Sequence, residues 1–402
     1  MAGHVRPAGE GTETMKRTSI TVLTLGILFL AAVVGVVTVA GVRSTPTWRI
    51  GLEAPLTGSQ AALGQGMLTG AELAADQLNQ AGGVLGRDLQ IVPIDDAANP
   101  TTAVAAARGA VSDGLDGVVG PYNSSVGVKT LPLYLAAGLT PVRLTSATVT
   151  EGEGVTLQPM ESQIAPVATN ALSGWLGAKS VAIAYDDSSA YTRGVAQRVR
   201  QMLAAHGVTV TAFVATQPGG KDYASVVDAL LRSNPSVVYA AVYYPEAGIM
   251  AKDLVASGSS TRCLMDYSAY DSAFVGAAGS AASRCPVLGV PAPSDFPGSA
   301  AHVAAYRATY GTEPGTWGPY AYDSVRLLSD AARRAGGFGH AAIASALRST
   351  SGWHGWTGAA TIAPTSGNRT PATVVVTTVG RDGQLHVDAA WAASSASASA
   401  AG

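Results

Sequence analysis

Cysteine is almost missing from this chain: Cys263 and Cys285 are the only two in 402 residues. Two thiols are too few for a structural zinc site, and no further ligand types cluster beside them. Charge is scarce as well, 13% of residues, with 25 basic against 27 acidic. No Lys/Arg stripe falls on a predicted face, which argues against nucleic acid as a partner. Catalytic signatures are absent too: there is no Gly-x-Ser-x-Gly elbow, no His-Glu-x-x-His and no Walker loop. The six histidines are scattered; His206 and His340 follow amphipathic helices and read as C-terminal-turn residues. These gaps point away from an enzyme and suggest neither a cofactor nor a metal.

What the chain does have begins with an apolar run. From Ile20 to Val42 there is no charged residue, and Lys16 and Arg17 stand just before it. About 20 apolar residues span a hydrocarbon core, and positive charge at the N-terminal side keeps that end in the cytoplasm. The expectation is a cytoplasmic tail over 1–19, a single-pass anchor over 20–42, and an extracellular remainder. The alternative is a signal segment cleaved near Thr38-Val39-Ala40, which would leave the protein secreted. No cysteine lies near the run, so a lipid-modified cysteine is excluded as the tether. An exported chain with two cysteines favours a Cys263–Cys285 disulfide, worth about 3 kcal/mol in the chain-entropy model; two buried free thiols are the other reading.

Beyond the anchor the chain is too long for one ordinary domain, and strand and helix signals alternate. Ile50 to Leu56 reads as a buried strand. Leu68, Ala71, Ala75 and Leu78 then recur at helical spacing until Gly82-Gly83 stops the helix. Leu89 to Ile94 is the next strand and ends at Asp95-Asp96, a pair expected to hold a turn. Asn99-Pro100 suits a cap and first turn. The strand Gly117 to Gly120 leads into Pro121-Tyr-Asn-Ser-Ser125. The alternation restarts with strands at 180–185, 208–214, 237–243 and 287–290, separated by helices. It passes a Pro-rich turn at 291–297, continues through three more helices, and ends in a hairpin around 374–379 and 384–387. Strands joined by helices pair in parallel, so two doubly wound sheets are expected, with ligand beyond the carboxyl ends of their strands. After Trp391 the Ala/Ser run reads as disordered.

Several stretches at these strand ends carry a family resemblance. They are Ile50-Gly-Leu-Glu-Ala-Pro-Leu-Thr-Gly58, Asn79-Gln-Ala-Gly-Gly-Val-Leu-Gly86, Asp95-Asp96, Gly120-Pro-Tyr-Asn-Ser124, Thr145-Ser-Ala-Thr148, Tyr185-Asp-Asp-Ser-Ser-Ala-Tyr191 and Tyr243-Tyr-Pro-Glu246. In this order and spacing the chain resembles the Leu/Ile/Val-binding family of ABC-transporter solute-binding proteins, with a type I periplasmic binding fold. The likeness runs from about Trp48 to about Val387. It implies two α/β lobes joined by crossover strands: 48–165 with 292–375 as lobe 1, and 166–291 with 376–391 as lobe 2, leaving 392–402 as a disordered tail. It also implies a small amino acid of branched-chain type, or a related amide, captured between the lobes by hinge closure and passed to an ABC permease by a monomer.

By the same resemblance, Ser124 offers its hydroxyl and N–H to a ligand carboxylate. Ser146, Ala147 and Thr148 supply further backbone groups and the Thr148 hydroxyl, and Leu63 lines the side-chain pocket. Tyr191 and Tyr243 close from the other lobe; strand alternation would let only one of Tyr243 and Tyr244 face the cleft. Asp266 is the candidate counter-charge for an ammonium. A strict residue count puts Tyr267 there instead, and the ligand would then be an amide, a urea-like compound or an aromatic acid. The functional alternative is an anchored ligand sensor acting through a partner protein, since a tail of about 19 residues cannot hold an output domain.

Overall fold

The computed structural model describes residues 46–400, and their side chains as far as residue 394; the expected tail and anchor over 1–42 lie outside the described residues. No helix among the described residues is long and apolar enough to cross a membrane.

The first sheet is built from β1 (Trp48–Ala54), β2 (Leu89–Asp95), β3 (Gly117–Val119), β4 (Val142–Arg143) and β5 (Val155–Thr156), all parallel, in the order β2-β1-β3-β4-β5. Each crossover is helical: α1 (Ala61–Gln80), α2 (Pro100–Ser112) and α3 (Ser124–Ala136). The caps explain the boundaries. Asn99 Oδ1 accepts from the N–H groups of Thr101 and Thr102, with Pro100 in the first turn. Asp95 accepts from Leu56 N, Thr57 N, the Thr57 hydroxyl and Ala97 N, so it staples the β1–α1 loop to the end of β2. The Asp95-Asp96 pair thus holds a turn, as its type and position suggest.

The second sheet is larger. It contains β6 (Ser180–Asp186), β7 (Thr209–Thr216), β8 (Val237–Ala241), β9 (Arg262–Met265), β10 (Val287–Gly289), β14 (Val375–Val379) and β15 (Leu385–Val387) in the order β15-β14-β10-β9-β8-β6-β7. The last two form the expected hairpin, and β14 runs antiparallel to β10. Helices α5 (Ala190–Ala205), α6 (Ala224–Leu231), α7 (Tyr244–Ala256) and α8 (Ser272–Ala278) belong to this half, and α4 (Glu161–Asn170) leads into it from the first. The chain then returns to the first half through α9 (Ala300–Tyr310), α10 (Gly318–Ala335) and α11 (His340–Arg348). There α10 lies hard against α1: a Cβ on Gly70 would sit 2.2 Å from the Gly318 carbonyl, so only glycine lets these backbones approach. A small antiparallel sheet of β11 (Trp353–Gly355), β12 (Gly358–Ile362) and β13 (Arg369–Thr370) follows.

Three differences from the sequence expectation have local causes. His340 opens α11 rather than ending a helix, because α10 already stops at Gly336 in the left-handed conformation. The small sheet β11–β13 is unanticipated, its strands being only two to five residues long. The Ala/Ser segment expected to be disordered continues as a helix, α12 (Ala389–Ala400), in keeping with alanine's helix propensity.

Candidate functional site

The chain changes sheets three times: after β5, after β10, and between β13 and β14. Between the two halves the strand-end loops face one another, and polar contacts bridge them. The Ser125 hydroxyl donates to the Ser188 carbonyl (3.3 Å) and accepts from Ala190 N (2.8 Å). The Tyr244 hydroxyl donates to the Ser59 carbonyl (2.9 Å). Thr148 N–H donates to Glu161 Oε2 (3.2 Å), while Arg198 pairs with Glu161 Oε1 (3.2 Å) and donates to the Thr148 hydroxyl (3.4 Å). Behind them an aromatic seam closes the gap. Trp317, capping α10, packs on Tyr122 from the first half and on Tyr267 and Tyr270 from the second.

Between these contacts lies a narrow cleft of about 10 Å³, room for a single water. Its wall takes Tyr122, Ser124, Leu144, Ser146 and Gln158 from one side, and Tyr191, Tyr243, Tyr267 and Ser268 from the other. A wider recess of about 260 Å³ lies outside it, where Asn123, Ser125, Asp186, Tyr243 and Glu246 meet. Tyr243 faces both spaces.

Of the residues anticipated from sequence, the structure brings Ser124, Ser146, Tyr191 and Tyr243 together in the cavity wall. Ser124 Oγ accepts from the N–H groups of Ser146 (3.3 Å) and Ala147 (3.1 Å), which ties the two lobe-1 loops together; Ala147 contributes backbone alone and sits just behind the wall. Three others stand apart. Leu63 is buried in the hydrophobic core. Thr148 is turned to Glu161 and Arg198. Asp266 is fully buried beneath the wall: Tyr239 donates to Oδ1, and the Ser268 N–H and hydroxyl (3.0 Å each) approach Oδ2. Burial pushes the Asp266 carboxyl above its usual range, opposed by the hydrogen bonds from Tyr239 and Ser268. The Tyr191 hydroxyl lies beside that carboxyl without a hydrogen bond of ordinary geometry.

Tyr243 and Tyr244 both reach the interlobe space. The strand ends at Ala241, and Tyr244 already begins α7, so strand alternation no longer governs the pair. Burial raises the Tyr243 phenol to about 12 and lifts those of Tyr191 and Tyr267 well above their usual value. All three hydroxyls therefore keep their protons at neutral pH and can donate.

Tyr122, Leu144, Gln158, Tyr267 and Ser268 complete the wall. Tyr122 and Tyr267 sit inside stretches that sequence reading singled out. Gln158 carries no motif; its only signal is a polar residue between Leu157 and Pro159, just past the buried pair Val155-Thr156. The predicted Cys263–Cys285 disulfide is formed, and it links β9, whose end carries Asp266 to Ser268, to the turn before β10. Among the described residues no group of His, Cys, Asp or Glu is arranged to hold a metal.

Two doubly wound sheets with a cleft between their strand ends are the architecture of the type I periplasmic binding class. Residues 47–384 match the periplasmic binding protein family profile, and the chain belongs to that family. A Leu/Ile/Val-binding protein homologue of Brucella abortus is 29% identical over 309 residues, covering 74% of this chain and 81% of its own. The leucine-binding protein of Thermotoga maritima superposes with a TM-score of 0.79 at 23% identity, over 85% of this chain and 98% of its own. The branched-chain amino acid binding protein of Streptococcus pneumoniae, solved with isoleucine, gives a TM-score of 0.75 at 24% identity, over 85% and 99%. The homologues are substrate-binding proteins, not enzymes, and this chain belongs to the periplasmic binding protein family.

Proposed function

We propose that this protein captures a small organic solute, a branched-chain-type amino acid or a related amide, by closing two lobes over it and delivers it to an ABC permease. The observation that carries this reading is the narrow cleft lined by polar side chains of both halves. It lies where their strand-end loops converge, and hydrogen bonds nearby cross from one half to the other. The lobes comprise 48–165 with 292–375, and 166–291 with 376–391, hinged at the three crossovers. An open form admits the solute, and the closed form is selected because only there do both sets of polar groups find partners. Within the site Ser124, Ser146, Tyr191 and Tyr243 make contact with the ligand, while Leu63, Ala147, Thr148 and Asp266 act from behind it. The binding portion works outside the cytoplasm as a monomer, held at the membrane by segment 20–42.

Isothermal titration of residues 45–402 against leucine, isoleucine, valine and their neutral amides tests this reading. Binding of any one with 1:1 stoichiometry is expected. Ser124→Ala should weaken it by about 1–3 kcal/mol, because two loop N–H groups lose their shared acceptor. Failure of every solute to bind, or undiminished affinity in the Ser124 variant, would remove the cleft as the site.

A further inference from the structure

The cavity wall contains no charged side chain, yet it contains buried polar atoms without protein partners. Gln158 is fully buried, and neither its Nε2 nor its Oε1 has a hydrogen-bond partner among the described residues. The hydroxyl of Tyr267, in the same wall, is also unpartnered among the described residues, whereas that of Tyr191 is turned to Asp266. Buried polar groups left unmet are costly, so a cluster of them around one space marks what must enter it. We propose that Gln158 determines specificity in this site, and that it reads the donor-and-acceptor edge of a neutral carboxamide or urea group on a ligand without an ammonium. This rests on the solute-binding reading above and narrows its choice between amino acid and amide.

The chemistry follows from the inventory of groups. A side-chain amide offers one acceptor and a donor on adjacent atoms. A primary amide or urea presents the complementary pair, and exchanging the Gln158 nitrogen and oxygen leaves the match intact. A zwitterion is matched poorly. Its ammonium would meet no carboxylate in the wall, since Asp266 lies beneath and already receives Tyr239 and Ser268. Its carboxylate would meet no Arg or Lys, and the nearby N–H groups of Ser146 and Ala147 are bound to Ser124. Burying unpaired charge is far more costly than burying a paired amide. The four tyrosines of the wall supply phenol donors and flat apolar faces that suit a short branched or planar neutral body.

The test is calorimetry with isobutyramide, isovaleramide and urea against leucine, valine and isobutyrate, on the wild type and two variants. The wild type should bind at least one amide or urea at least tenfold more tightly than any amino acid. Gln158→Leu, close in volume, should lower amide affinity at least tenfold while the ligand-free melting temperature stays or rises. Gln158→Glu places a carboxylate in the wall and should shift preference toward amine-bearing ligands. Tighter binding of leucine or valine than of every amide, with Gln158→Leu within twofold of wild type, would overturn the inference and leave the solute-binding reading standing. Silence from all six compounds would overturn both.

Discussion

At the scale of single residues the molecule carries several buried acids without basic partners. Asp96 is fully buried at the end of β2; its Oδ1 accepts from Ala98 N (2.7 Å), while Oδ2 has no partner among the described residues. Burial is the main cause that raises its carboxyl to about 7, and neighbouring Asp95 adds to the rise. The folded chain therefore holds a proton that the unfolded chain releases above about pH 4. Stability from this group is present below about pH 4 and is lost as pH rises toward 7. Asp96→Asn keeps an oxygen for Ala98 and removes the titration. Its melting temperature should fall less steeply than wild type between pH 4 and 7 in differential scanning calorimetry; parallel curves would refute the assignment. Buried Glu53, whose carboxyl is raised by burial and by Asp96, leaves a residual slope in both proteins. This is the level at which sequence reading was least complete. Asp95-Asp96 could be assigned to a turn from residue type alone, but Gln158 could not be placed in the site. Its position depends on a two-residue strand that no periodicity reveals, and on which way the chain turns at a crossover.

At the scale of elements the sequence was far more legible, because parallel strands and amphipathic helices write their periods into it. The strands of both sheets and their helical crossovers stand within a few residues of expectation. What escaped was short or set by context: β5 and the sheet β11–β13 are two to five residues long. Tertiary pairing, not propensity, defines such pieces. The same distinction explains the site residues. Ser124, Ser146, Tyr191 and Tyr243 come directly from strand ends and helix starts whose positions were readable. Asp266 was readable as a strand-end residue too, but one step along the 3-10 turn after β9 decides whether it or Tyr267 faces the cavity. The disulfide acts on this same element. Cys263 lies in β9 and Cys285, 22 residues on, in the turn before β10, so the bond closes the loop that follows the site-bearing strand end. Replacing both cysteines by alanine should cost about 3 kcal/mol, read as a lower urea midpoint. An equal loss on adding reductant to the wild type would show that the loop constraint, not the side-chain packing, carries the effect.

At the scale of the whole molecule the narrowness of the cleft poses an energetic question. A space for one water cannot admit any solute of the proposed class, so binding must begin from a state in which the two halves stand apart. The polar contacts that join them are few and partly exposed, and they stand beside the buried aromatic seam at Trp317. The Glu161–Arg198–Thr148 triangle is one of the polar contacts. The Arg198 side chain is 39% exposed and its ion pair with Glu161 spans 3.2 Å, a class of contact that contributes about 0–1 kcal/mol. Arg198→Ala should accordingly leave the fold intact and shift the open-to-closed ratio by about fivefold or less. Small-angle scattering should report a larger radius of gyration for the ligand-free variant than for the ligand-free wild type, and equal radii once both are saturated with ligand. Affinity should fall by the same factor as the closed population, because the binding-competent fraction multiplies the intrinsic constant. An unchanged radius together with weaker binding would instead mean that Arg198 acts on the ligand and not on closure. Glu161 would then have to be reassigned from a latch between the halves to a part of the site.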